Sequence, residues 1–288
     1  MSETLVGDAA LLVDGALAAR LEGRDLPASL VEAMAYASLD GGKRLRPALV
    51  FASCDAVGGT REDVVSCALA VELVHAFSLV HDDLPALDDD DLRRGRATVH
   101  VRFGEAMAIL AGDALLAEAF AIVLEDDGVS KAVVRELADA TEQMIGGQVC
   151  DSFPLEAGEG VSRVAHLEMI HRRKTGALIR ASCRMGAMVG GASESDLERI
   201  TSYGEAIGLM YQVVDDLLDV EQTSERAGKR TGKDATAGKL TYPGELGVEG
   251  ARERVGELHR ESLGAIGALG ERARGLVALS EMMVSRTS

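Results

Sequence analysis

Proline placement constrains this chain more than any other feature. In 288 residues proline occurs only at Pro27, Pro47, Pro85, Pro154 and Pro243. Its ring removes an N–H donor and clashes with the carbonyl four residues back, so the intervals between prolines bound how far a helix can run. Those intervals are rich in Ala and Leu, which lose little freedom on entering a helix. Apolar residues within them recur at i, i+3 and i+4. The spacing predicts helices over 5–21, 30–39, 46–57, 62–83, 104–124, 131–150, 162–190 and 195–220, with a final group after Tyr242. Strand signals are nearly absent, no fixed-period repeat occurs, and no Gly/Ser/Pro linker divides the chain. The expected fold is all-α, one helical domain over 1–288. The Gly- and Lys-rich stretch 227–239 lacks an apolar period and reads as a loop.

Charge excludes several classes of partner. With 47 acidic against 30 basic residues the net charge is −17. The mean field therefore repels nucleic acid and anionic membranes, and an anionic substrate has to be held locally. Cys54, Cys67, Cys150 and Cys183 lie far apart without a CxxC pair, which predicts reduced, packed thiols in a cytoplasmic protein. The first residues, MSETLVGDAA, carry acids where a secretory signal needs a basic start. The most apolar helix, around 64–80, is interrupted by Glu72 and His75, so no transmembrane segment is expected.

Two acidic segments carry chemistry. The first, HDDLPALDDDD from His81 to Asp91, crowds six carboxylates into a few turns at the end of a helix that Pro85 stops. Carboxylates there oppose the helix dipole and repel one another, and a cation offsets both effects. In the second, GLMYQVVDDLLD from Gly208 to Asp219, helical spacing aligns Gln212, Asp215, Asp216 and Asp219 in one stripe. Val213, Val214, Leu217 and Leu218 anchor that helix in the core, so the stripe borders packed surface. Two clusters of hard oxygen ligands select Mg²⁺, an ion that keeps waters and shares phosphate oxygens. Arg93 and Arg94 follow the first cluster with forks suited to phosphate. His75 stands two turns before Asp82 on the same helix face.

The motifs GGKRLRP, HDDLPALDDDDLRRG, AGDALL, GGQVCD, KTGAL, GLMYQVVDDLLD and GKDATAGKLTYP, in this order over nearly the whole chain, resemble the trans-isoprenyl diphosphate synthases. The resemblance implies a bundle of about ten to thirteen helices around a deep central cavity, usually a homodimer. It implies that Asp82, Asp83, Asp88, Asp215, Asp216 and Asp219 hold Mg²⁺ ions that bind an allylic diphosphate. Lys43, Arg46, His75 and Arg94 would bind isopentenyl diphosphate. Arg93, Lys174, Thr175, Gln212, Lys229 and Lys239 would face the allylic partner, with Arg230 and Lys233 competing with Lys229. Thr175 and Gln212 would present oxygens to an allylic carbocation. Gln148 and Asp151, spaced i, i+3, either join this network or cap the break before Pro154.

Product length rests on Phe77 and Ser78. A growing hydrocarbon tail must run away from the diphosphate, because apolar groups beside the ions would strip their hydration. Phe77 lies roughly 7 Å down the helix from Asp82 at about 1.5 Å per residue, a candidate floor beside small Ser78. With the Pro85-containing insertion it resembles bacterial farnesyl diphosphate synthases, so farnesyl diphosphate is the expected main product and geranylgeranyl diphosphate the alternative. A class I terpene cyclase would carry Asn, Ser and Glu in its second metal motif, and a regulatory subunit would lack one acidic motif. An HD-type phosphohydrolase would recruit further histidines, for which His166 and His171 are available.

Overall fold

The computed structural model describes residues 2–39, 41–153, 160–227 and 240–287. These hold twelve α-helices: α1 Ser2–Glu22, α2 Ala28–Ser38, α3 Leu45–Val57, α4 Val65–Asp82, α5 Val99–Phe103, α6 Glu105–Glu125, α7 Lys131–Ser152, α8 Arg163–His171, α9 Ala177–Val189, α10 Glu194–Ala227, α11 Tyr242–Ile266 and α12 Arg274–Val284. The all-α expectation holds with close agreement at most helix bounds. α4 sits at the centre, packed against α6, α3, α9 and α2. Its Leu69, Val71, Leu73, Val74 and Phe77 are buried on several sides, which accounts for its nearly continuous apolar sequence.

By length and composition Glu62–Asp82 and Glu105–Glu125 could each cross a membrane, in contrast to the reading of the apolar runs above. Packing explains the first, because 67% of its apolar window is buried inside the protein. α6 is buried over only 44% and leaves Ile109, Leu110 and Leu124 exposed. The four cysteines are buried and unpaired. Burial pushes the Cys54 thiol up to about 11 and those of Cys67 and Cys183 to about 12, which suppresses the thiolate.

Two local features depart from the sequence pattern. The helix expected over 162–190 is interrupted by a π-turn at Arg172–Gly176, between α8 and α9. This widened turn lies directly on two other helices. A Cβ on Gly147 of α7 would stand 2.2 Å from the Lys174 backbone nitrogen, and one on Gly208 of α10 would stand 2.7 Å from the Gly176 Cα. Glycine at both positions lets three backbones meet, and π-turns of this kind recur at functional sites.

The second feature is a short hairpin, β1 Leu92–Arg93 paired antiparallel with β2 Arg96–Ala97. Arg94 (φ 52°) and Gly95 (φ 78°) both adopt left-handed backbone, the condition for a type I′ turn. Gly42 leaves room for the Arg94 guanidinium, since a Cβ there would fall 2.9 Å from its Nη1, and that group donates to the Gly41 carbonyl.

The glycine contacts predict a contrast between neighbours. Gly147→Ala forces the Lys174 backbone away and costs roughly 1–3 kcal/mol as overpacking. Gly146→Ala, which meets nothing within 4 Å, leaves stability unchanged or raises it by up to about 1 kcal/mol through helix propensity. Thermal unfolding of the two variants measures the difference.

Candidate functional site

The first acidic motif forms where α4 ends. Pro85 prevents another turn, and the chain folds back so that Asp88 N–H donates to the Asp82 carbonyl at 2.9 Å and Asp90 N–H to that of Asp83 at 3.3 Å. The insertion thereby brings Asp88 beside Asp82. Burial pushes the Asp82 carboxyl up to about 6, outweighing the opposite pull of Lys174. Asp83 is gripped by Arg93, whose Nε donates to both carboxylate oxygens at 2.9 Å and whose Nη2 donates to Oδ1 at 2.6 Å. The sequence places Asp83 among metal ligands and Arg93 on the allylic substrate. The structure engages each with the other, a fork that ties the hairpin to the helix end.

The second motif lies on α10 as its spacing predicts. Burial pushes the Asp215 carboxyl up to about 6, against the opposing effect of Arg286, with Asp219 adding repulsion. Arg286 Nη2 lies 3.3 Å from Asp215 Oδ1. Asp216 is buried; its Oδ2 accepts the Tyr242 backbone N–H at 3.0 Å and its Oδ1 accepts Gln212 Nε2 at 3.3 Å. Gln212 Oε1 in turn accepts the Thr175 hydroxyl at 2.9 Å.

Asp82, Thr175, Gln212 and Asp215 line two adjoining cavities. One, about 460 Å³, is lined by Lys43, Arg46, His75, Arg94, Arg286, Asp215 and Asp219 among others. The second, about 280 Å³, is lined by Phe77, Ser78, Asp82, Met144, Gln148, Lys174 and Thr175 among others. Arg46 and His75 border both, and the Thr175–Gln212 hydrogen bond joins one cavity wall to the other. The four residues assigned to isopentenyl diphosphate are therefore together in the charged cavity.

Burial, reinforced by the facing Arg46 and Arg94 guanidiniums, holds His75 well below the usual histidine range, so its ring is neutral. The Arg46 Nε is buried without a hydrogen bond, which suits a donor awaiting an anion. Lys174 meets Asp151 at 2.5 Å, so Asp151 belongs to the site network. Gln148 lines the apolar cavity with its Oε1 buried and unbonded. Lys229 and Lys239, with Arg230 and Lys233, lie outside the described residues.

Two contributors escape the sequence reading. Arg286 comes from the far end of the chain, with its guanidinium 5.7 Å from the Tyr211 ring centroid. Arg44 is buried in left-handed backbone (φ 42°), bonded to Glu72 at 2.5 Å, to the Asp14 carboxylate at 2.6 Å and to the Ser38 carbonyl at 2.6 Å. Glu72 was the available signal, because an acid in the most apolar helix requires a buried cation.

Among the described residues, no three His, Cys, Asp or Glu side chains converge as a preformed metal cage, and the histidine cluster of a phosphohydrolase is absent there too. The acidic groups offer hard oxygens around open cavities. That donor set fits an ion completed by water and phosphate oxygens.

The family described as Polyprenyl synthetase matches residues 27–266. The chain is 44% identical to geranylgeranyl pyrophosphate synthase 4 of Arabidopsis thaliana over 90% of this chain and 72% of that protein. It is 47% identical to the heterodimeric geranylgeranyl pyrophosphate synthase large subunit 1 of the same plant, over 87% and 70%. The crystal structure of an FPP/GFPP synthase from Zymomonas mobilis superposes with a TM-score of 0.85 at 33% identity, covering 99% of this chain and all of that one.

The raised carboxyl values have a stability consequence of definite sign. The folded protein keeps the Asp82 and Asp215 protons up to about pH 6, whereas the unfolded chain releases them near 3.8. The native state thus binds more protons in that window, and metal-free stability falls as pH rises through it. Asp82→Asn or Asp215→Asn should raise the metal-free thermal midpoint near pH 7, with the gain disappearing at about pH 4. Melting curves at the two pH values decide this; a lower midpoint near pH 7 for both variants contradicts it.

Proposed function

The chain belongs to the polyprenyl synthetase family, and we propose that it condenses isopentenyl diphosphate with an allylic diphosphate to give mainly geranylgeranyl diphosphate. One observation carries this reading: a cavity lined by Lys43, Arg46, His75 and Arg94 adjoins an apolar cavity that Asp82 and Lys174 border. Lys43, Arg46 and Arg94 supply charge for one diphosphate, and neutral His75 supplies a hydrogen bond. Lys174 is placed to meet the allylic diphosphate, whose hydrocarbon enters the cavity of Phe77, Met144 and Val149.

Asp82 and Asp88 on one side and Asp215, Asp216 and Asp219 on the other would hold Mg²⁺, which neutralises charge on the leaving diphosphate. Asp83 serves by holding Arg93 in place. As the allylic C–O bond breaks, the Thr175 hydroxyl oxygen and Gln212 carbonyl dipole face the developing cation. The isopentenyl double bond attacks that cation, and the departing diphosphate takes the final proton. No protein nucleophile is used. Replacing Asp82 or Asp215 with Ala should abolish condensation while helical circular dichroism is kept, and near-normal turnover of the Asp215 variant at limiting Mg²⁺ would refute the paired-motif reading.

Chain length favours the longer product on the names of the plant relatives, which are geranylgeranyl synthases at 44% and 47% identity. The Phe77 ring sits edge-on to His81 at 5.8 Å and 85°, and His81 rests in the notch of Gly112 with its Nε2 3.1 Å from the Ile109 carbonyl. The ring is thus turned towards α6. Arrest at farnesyl diphosphate is a second reading, favoured by Phe77 lining the apolar cavity. A second copy of this chain suits the apolar face of Ile109, Leu110 and Leu124 on α6; sedimentation of the purified protein tests the homodimer.

Incubation with Mg²⁺, labelled isopentenyl diphosphate and each allylic primer, followed by chromatography, should give geranylgeranyl diphosphate. A farnesyl product overturns the length. Phe77→Ala in a folded variant should shift the distribution to longer chains, at a cost of roughly 3–5 kcal/mol in stability for a buried ring. An unchanged distribution removes Phe77 from length control.

A further inference from the structure

His171 closes α8 immediately before the π-turn that carries Lys174 and Thr175. It is 8% exposed, and its Nε2 is buried with no hydrogen-bond partner. An unpaired buried ring nitrogen costs free energy, so such a group needs a reason. Nε2 stands 3.5 Å from Asp216 Oδ2, slightly longer than a normal hydrogen bond. The ring lines neither of the two cavities, so it does not meet substrate.

The surroundings hold this ring in place. It stacks on Tyr242 with centroids 5.7 Å apart and planes 15° from parallel. The Tyr242 backbone N–H donates to the same Asp216 Oδ2 at 3.0 Å, and its hydroxyl donates to Glu168 Oε1 at 2.9 Å. Arg254 secures Glu168 at 3.3 Å, and Arg172 lies 3.8 Å from its other oxygen. Three helices, α8, α10 and α11, thus converge on one carboxylate. A ring nitrogen facing a carboxylate oxygen is suited to donate.

We propose that His171 is a positioning residue for Asp216: its Nε2–H, clamped by the Tyr242 ring beside Oδ2, closes a hydrogen bond that orients this carboxylate when a divalent cation binds. The inference rests on the reading in which Asp216 belongs to the metal-binding pair of motifs. Hydrogen-bond partners of a ligating carboxylate govern its direction, and their loss typically weakens metal affinity 10–100-fold.

The test measures Mn²⁺ binding by electron paramagnetic resonance, with inorganic pyrophosphate present and no turnover. His171→Phe keeps a ring to stack on Tyr242 and removes the donor; it should weaken Mn²⁺ about 10-fold or more with the thermal midpoint little changed. His171→Gln restores an N–H and should recover most of the affinity. Should the phenylalanine variant not fold, His171→Leu tests the same loss. Wild-type Mn²⁺ affinity in a folded donorless variant, or a His171→Gln protein as weak as His171→Phe, overturns the positioning role. Asp216→Asn separates the two levels. If it leaves Mn²⁺ binding unchanged, the metal reading of Asp216 is what fails; if it weakens binding while His171→Phe does not, only the positioning role fails.

Discussion

The site depends on keeping opposite charges from neutralising one another. Carboxylates and guanidiniums set around one pair of cavities attract strongly where water is scarce, and collapse of one set onto the other would leave nothing to bind a diphosphate. Dedicated partners prevent this. Arg93 is held by Asp83, Arg44 by Glu72 and Asp14, and Lys174 by Asp151. What remains is selective: Asp82 and Asp215 are partly buried with raised proton affinity, and Arg46 keeps an unbonded Nε. Carboxyls whose charge burial disfavours, beside an arginine with an unbonded donor, are complementary to a cation and an anion arriving together.

Backbone contact supplies the precision that side-chain pairing lacks. The π-turn at Arg172–Gly176 could not approach α7 and α10 if Gly147 or Gly208 carried a Cβ. Its extra residue per turn rotates Lys174 and Thr175 relative to the rest of that helical segment. Lys174 then reaches Asp151, and Thr175 reaches Gln212 on the acidic stripe. The hairpin does the same for Arg94, whose left-handed backbone is accommodated by the type I′ turn and by the space left at Gly42. Both features place cavity-lining side chains by local distortions, which ordinary helical periodicity does not produce.

Much of this was legible beforehand. Helix bounds followed from proline spacing and apolar period, and the stripe of Gln212, Asp215, Asp216 and Asp219 followed from 3.6-residue geometry alone. Grouping Lys43, Arg46, His75 and Arg94 came from resemblance, and the structure brings them to one cavity. The pairing of Asp83 with Arg93 was not legible, because both residues fit a substrate role equally well by type. Arg286 was invisible for a different reason: no local pattern joins a residue near the end of the chain to Asp215.

By itself the sequence determined the helical class, the two acidic motifs and the chemical kind of ligand, since these depend on local periodicity and side-chain type. Only the tertiary structure decided which charges are spent on one another and which face the cavities. Those outcomes turn on contacts between residues distant in sequence, such as His171 with Asp216 or Arg44 with Glu72. Periodicity reports which face of a helix is buried; it carries no information about which neighbour is buried against it.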